Sequence, residues 1–151
     1  MTPPTRHLVI HVHGDPAPQG SKTHVGNGRM RESSRRVAPW RDAVQAAAMQ
    51  ALPKGWMLAG PVSVRIDFLV ARPASHYGTG RNARMLRDNA PLYPVSRRVG
   101  DLDKLLRSTL DALTTAGVIV DDSLVVDIQA SKVYGEPGDA IPGAVIFVGA
   151  L

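Results

Sequence analysis

The sequence predicts a small α+β protein, a mixed β-sheet of about four strands with two main helices packed on one face. Three features predict it. Val62, Val64, Ile66, Phe68 and Val70 alternate with Ser63, Arg65 and Asp67, the period of a half-buried strand. Leu102, Leu105, Leu106, Leu110 and Leu113 recur at helical spacing, the pattern of a helix facing a core. Four further stretches, one more helical and three more strand-like, alternate along the chain with turn-rich connections. At 151 residues one domain with a sizeable core is expected.

In chain order, His7 to His13 reads as a strand, with Leu8, Ile10 and Val12 on one face and His7, Val9, His11 and His13 on the other. His11 and His13 share a face without a visible third ligand, so a polar strand face is the expectation there. Gly14 to Thr23 does not fit a phosphate-binding P-loop, because five residues separate Gly14 from Gly20 and Ser21 stands before Lys22. About 14–38 reads instead as a basic arm or hairpin. Lys22, His24, Arg29, Arg31, Arg35 and Arg36 would meet backbone phosphates, and Asn27-Gly28 would supply a turn.

Pro39 to Leu52 is the first helix, with Trp40, Val44, Ala47, Ala48 and Ala51 on one face and Pro53 stopping it. After the alternating strand, about 72–98 loses apolar periodicity. It sets Arg72, Arg81, Arg84, Arg87, Arg97 and Arg98 against Asp88 alone, and reads as a mobile Arg-rich loop in which Tyr77 and Tyr93 are candidates for base stacking. The second helix runs from about 102 to 115, with Asp101 at the N-cap and Gly117 at a left-handed C′ position. On its wheel Asp103 borders the apolar face, whereas Asp111 lies nearly opposite the core. Leu124 to Tyr134 follows as a strand with Leu124, Val126, Ile128 and Ala130 inward, and Ala144 to Val148 as the last strand.

Charge is distributed unevenly. The first 100 residues carry fifteen Lys and Arg against five Asp and Glu, and the remainder three against eight. That asymmetry suits a polyanion held by one region while an acidic site performs chemistry. With no cysteine, disulfides and cysteine zinc sites are excluded. No apolar run approaches the ~18 residues of a membrane span, so the expectation is a cytoplasmic protein with no membrane partner. Asp101, Asp103, Asp121 and Asp122 come from a helix entrance and a strand-edge turn, and carboxylates gathered this way suit a hard divalent cation. Two unpaired carboxylates about 4 Å apart repel by roughly 4 kcal/mol at an effective dielectric near 20, so a real cluster needs a cation or a proton. Residue by residue the structural alternative stays open: an N-cap, a helix-dipole partner and two turn residues.

The order Asp101-x-Asp103, a basic residue four positions on, Asp111-Ala112-Leu113, Gly117, Asp121-Asp122 and Val125-Val126-Asp127 resembles the RusA-type Holliday-junction resolvases. The likeness extends from about Val99 to Lys132, with Trp40-Arg41-Asp42 resembling the start of a family helix. It implies a RusA-like homodimeric endonuclease that cuts four-way DNA junctions in recombination, repair or phage DNA processing. It also implies metal binding and catalysis by Asp101, Asp103 and Asp122, with Mg2+ as cofactor, Mn2+ as the alternative, and no nucleotide cofactor. Lys104 stands where the family commonly has Asn. Arg107 stands where it has a functional Lys; an Arg stays protonated, so any catalytic role of Arg107 is electrostatic. Lys22, Arg29, Arg31, Arg35, Arg36, Arg97, Arg98, Lys104 and Lys132 are the expected DNA contacts. Two rivals remain at this point: a non-catalytic branched-DNA-binding protein on the same scaffold, and a phosphohydrolase of small nucleotides.

Overall fold

The computed structural model describes residues 6–20, 22–24, 30–32, 35–136 and 141–151, with backbone alone for 22–24 and 30–32. The elements in order are β1 (His7–His13), β2 (Lys22–His24), β3 (Met30–Glu32), α1 (Val37–Ala51), β4 (Val62–Val70), α2 (Leu102–Thr115), β5 (Val125–Tyr134) and β6 (Gly143–Ala150). The main sheet has the order β1-β6-β4-β5. β6 is antiparallel to both β1 and β4, whereas β4 and β5 are parallel. A parallel pair needs a crossover, and the chain supplies it with the excursion after Val70 and with α2. β2 and β3 pair antiparallel as a separate small hairpin, with Lys22 beside Glu32 and His24 beside Met30. Asn27-Gly28, the expected turn, lies outside the described residues.

One face of the sheet is covered. Leu8, Ile10 and Val12, then Ile146 and Val148, then Val62, Val64, Ile66 and Phe68 are buried with Trp40, Val44 and Ala48 of α1 and Leu105, Ala112 and Leu113 of α2. This is the one-sided α+β arrangement expected from the two periodicities. Trp40 is its largest side chain, 1% exposed. Its ring lies tilted against Phe68 at 6.3 Å, and its Nε1 donates to Thr109 Oγ1 (3.1 Å), which joins the two helices through the core. Trp40 is therefore a packing residue and not a base-stacking platform. Trp40→Ala should lower unfolding free energy by about 3–5 kcal/mol, measured by denaturant titration.

Two stretches differ from their sequence reading for identifiable reasons. α1 begins at Val37, so Pro39 occupies the first turn, where its missing N–H costs nothing. In β5, Val126 is 63% and Ile128 39% exposed, although both were expected inward. β5 is an edge strand, and the helical layer does not extend over that border. The 72–98 segment is built from short turns at Ala74–His76 and Gly80–Asn82 and an isolated bridge between Tyr77 and Leu86. Arg87 ties it by donating from Nε to the Tyr77 carbonyl (2.8 Å), and Arg72 by donating to the Pro91 carbonyl (2.6 Å).

Candidate functional site: carboxylates at the two ends of one helix

α2 begins in a constrained corner. Gly100 has φ +89, and a Cβ there would lie 2.4 Å from Pro18 Cγ, so both conformation and space demand glycine. Lys132 Nζ donates to the Gly100 carbonyl (2.8 Å), fixing the corner to β5. The 14–20 loop clamps the helix from the other side. Ser108 Oγ donates to the Ala17 carbonyl (2.7 Å), and the Gln19 N–H donates to the Lys104 carbonyl (3.1 Å). Gly100→Ala should therefore lower Tm, with the loss of order centred on Asp101 and Asp103 in amide spectra.

Asp101 occupies the N-cap position, yet its side chain makes no capping hydrogen bond. Its carboxylate is turned outward, 71% exposed, with Lys104 Nζ 3.6 Å away. Asp103 sits in the first turn, exposed, where the helix dipole favours its charge. Arg107 is one turn further on and also exposed. Thus two hard oxygen donors and two cations share the helix entrance. Arg97 and Arg98 precede it, both exposed, and the Arg98 carbonyl accepts from Arg36 Nη1 (2.6 Å). Arg36 also pairs with Asp15 (3.4 Å) and donates to the Pro16 carbonyl (3.0 Å), so much of its role is to hold the corner. Arg35 is exposed. Arg29 and the side chains of Lys22 and Arg31 lie outside the described residues.

The opposite end of α2 closes in a Schellman motif, with Val118 N–H donating to the Leu113 carbonyl (3.0 Å), Gly117 N–H to the Thr114 carbonyl (3.1 Å), and Gly117 at φ +85. The turn beyond it separates the two adjacent aspartates by role. Asp121 accepts the Ser123 N–H (2.8 Å) and caps the 122–124 turn; the Ser123 side chain and that N–H hold its carboxyl below the usual range. Asp122 turns back to α2, where Thr114 Oγ1 donates to it. Asp111 faces it, against the expectation of an outward position. Burial first, then the Asp122 side chain through a hydrogen bond and its charge, raise Asp111 above the ordinary carboxylate range; Arg41 and Arg107 oppose the shift. A raised folded value contributes stability at low pH that is lost as pH rises through it. Asp111→Asn should therefore raise Tm at pH 7, and the gain should vanish as pH falls below the ordinary carboxylate range.

Within one chain this geometry keeps Asp122 apart from Asp101 and Asp103. Thr114, which binds Asp122, follows Asp103 by eleven residues of helix, a rise of about 16 Å. β5 gives the same answer: Lys132, at the Gly100 corner, lies about 23 Å along the strand from Val125. Among the described residues no three His, Cys, Asp or Glu side chains gather to hold a metal ion. One chain thus carries two separate carboxylate pairs, Asp101 with Asp103 at one end of α2 and Asp122 with Asp111 at the other. Asp67 joins neither, since it accepts from Ser131 Oγ (2.9 Å) and pairs with Arg65 (3.2 Å) on the open sheet face.

The fold and these ends define an α+β protein with paired carboxylates at a helix entrance rimmed by arginines. Residues 13–142 match the family model described as endodeoxyribonuclease RusA, and the chain belongs to that family. No curated protein matches the chain. The family is one of endodeoxyribonucleases acting on branched DNA junctions, and membership implies Holliday junction resolvase activity. Among the described residues no helix is long and apolar enough to cross a membrane.

Proposed function

We propose that the protein resolves four-way junctions by divalent-metal-dependent phosphodiester hydrolysis, in the cytoplasm, as a homodimer whose two metal sites are each assembled from two chains. The observation that carries this reading is the placement of the two carboxylate pairs at opposite ends of β5, together with that strand's position at the border of the sheet, unpaired on its outer side among the described residues. An edge carrying exposed Val126, Ile128 and Val133 is a template for another strand. If a second copy adds its own β5 antiparallel about a two-fold axis near Ile128, Leu124 of one chain stands opposite Lys132 of the other. Asp122 of each copy then approaches Asp101 and Asp103 of its neighbour. A two-fold dimer with two such sites matches the near two-fold symmetry of a four-way junction and its paired cuts.

All three carboxylates are hard oxygen donors, as magnesium requires. Bound there, the ion would supply an acidified water and neutralise charge on the leaving 3′ oxygen. The chain's own groups do the rest. Asp101 and Asp103 hold the ion at the helix entrance, and the Gly100 corner with its Lys132 and Pro18 contacts fixes their direction. Arg107 and Lys104 offset phosphate charge as it grows in the transition state. The basic hairpin and the 72–98 arginines grip the arms by their backbones, which reads shape before sequence.

The test is nicking of a synthetic four-way junction with magnesium, with manganese and with chelator, linear duplex serving as control. Metal-dependent cuts confined to the junction support the reading. Tight junction binding without cleavage under every metal condition would reduce the protein to a branched-DNA binder.

A further inference from the structure

Where β4 and β5 end, a cleft of about 320 Å3 opens between the start of the 72–98 segment and the residues just before Gly100. Val70, Ala71, Val99 and Pro142 give it apolar walls, and Tyr134 gives it an aromatic one. The Arg72 guanidinium lies over the Tyr134 ring at 4.4 Å, and His76 meets the same ring edge-on at 5.4 Å. Arg72 is held in that position by the Pro91 carbonyl (2.6 Å) and lies 3.3 Å from His76 Nδ1. Arg98, 74% exposed and only 4.0 Å from Asp15 at its closest, borders the same cleft.

We propose that this cleft receives one unstacked nucleotide of the DNA, its base against the Arg72–Tyr134 stack and its phosphate on Arg98. The inference rests on the nuclease reading above and adds to it a contact with a base. Three properties carry it. The lining sets Arg36, Arg72 and Arg98 against Asp15 alone, so it favours an anion over a cation. The volume lies at the small end of organic ligand sites, enough for one base and sugar and too little for duplex. A guanidinium already fixed against an aromatic ring offers a flat, preorganised surface, and bases stack on arginine planes as well as on rings.

Position supplies the reason. Val99 lines the cleft and Asp101 follows two residues later, within about 7 Å of extended chain. A nucleotide seated there is a near neighbour of the phosphate presented to Asp101 and Asp103. Extruding one nucleotide costs a few kcal/mol, least for a base that is already unpaired. Base contacts at this cleft would bias which position in a movable junction is cut.

The experiment follows backbone-amide spectra of the full chain during titration with the four deoxynucleoside monophosphates, and separately with inorganic phosphate and deoxyribose 5-phosphate. Saturable shifts at Ala71, Arg72, Val99 and Tyr134 with nucleotides are expected, at least tenfold weaker with either base-free probe. Arg72→Gln should abolish them; Arg98→Gln, at an exposed position, should weaken them at least tenfold and covers the case in which Arg72→Gln does not fold. Equal shifts with phosphate alone, no shifts at these residues, or unaltered binding in Arg98→Gln would overturn the proposal. Nucleotide binding at the cleft by a protein that cuts no junction under any metal would leave this inference standing and remove the nuclease reading instead.

Discussion

Asp103→Asn should abolish cleavage of a four-way junction, lowering its rate by at least about 100-fold, while junction binding with metal withheld persists or tightens. The magnitude follows from comparison: residues that merely orient a metal's ligands cost about 10–100-fold when replaced, so a direct ligand costs no less. Binding should persist because the proposed phosphate contacts lie elsewhere, on the exposed arginines at 35, 97 and 98. Removing one of two neighbouring negative charges at the helix entrance also relieves repulsion of the DNA. Asn at 103 keeps the size of the side chain and disturbs no core contact, since Asp103 is exposed. Junction cleavage at the wild-type rate by Asp103→Asn would remove this residue from the chemistry.

Ile128→Lys should convert the proposed dimer to monomer and eliminate cleavage at protein concentrations where the wild type is fully active. Ile128 is 39% exposed in one chain, on the edge strand beside Val126. Covering the exposed part of that side chain is worth roughly 0.6–1.2 kcal/mol, and a two-fold interface counts it twice. Losing about 1.2–2.4 kcal/mol raises the dissociation constant by roughly one to two powers of ten, and burying the lysine charge adds to that. Sedimentation gives the oligomeric state and thermal denaturation checks that the monomer stays folded. A monomeric Ile128→Lys that cuts junctions normally would contradict a site shared between copies.

Local chemistry explains what the sequence made legible. α2 begins and ends where expected, at Leu102 and Thr115, because its apolar residues keep one period and Gly117 closes it in the left-handed conformation; Asp101 holds the N-cap position without capping the helix. β4 alternates in burial as its residues alternate in character. Within the stretch of about 14–38 read as a basic arm or hairpin, β2 and β3 pair antiparallel. What periodicity omits is neighbourhood. Nothing in Leu124 to Tyr134 says that this strand lies at the sheet border, so Val126 and Ile128 read as core and are open to solvent. A helical wheel puts Asp111 away from the core but cannot reveal that the chain returns after Gly117 to lay Asp122 beside it. The same blindness made three acidic residues read as one cluster when the full length of α2 separates them. The Arg72–Tyr134 stack joins positions 62 residues apart and left no signal in composition or spacing.

Mixing two inactive proteins gives the most direct test. Asp103→Asn and Asp122→Asn are each prepared pure, shown to be inactive, and then allowed to exchange subunits. If every site takes Asp101 and Asp103 from one chain and Asp122 from the other, the mixed dimer contains one wholly native site and one doubly altered site. Nicking of one junction strand should then appear on mixing, in proportion to the fraction of mixed dimers. If each chain assembled its own site, both sites of the mixed dimer would carry a substitution and the mixture would stay as inactive as its parents.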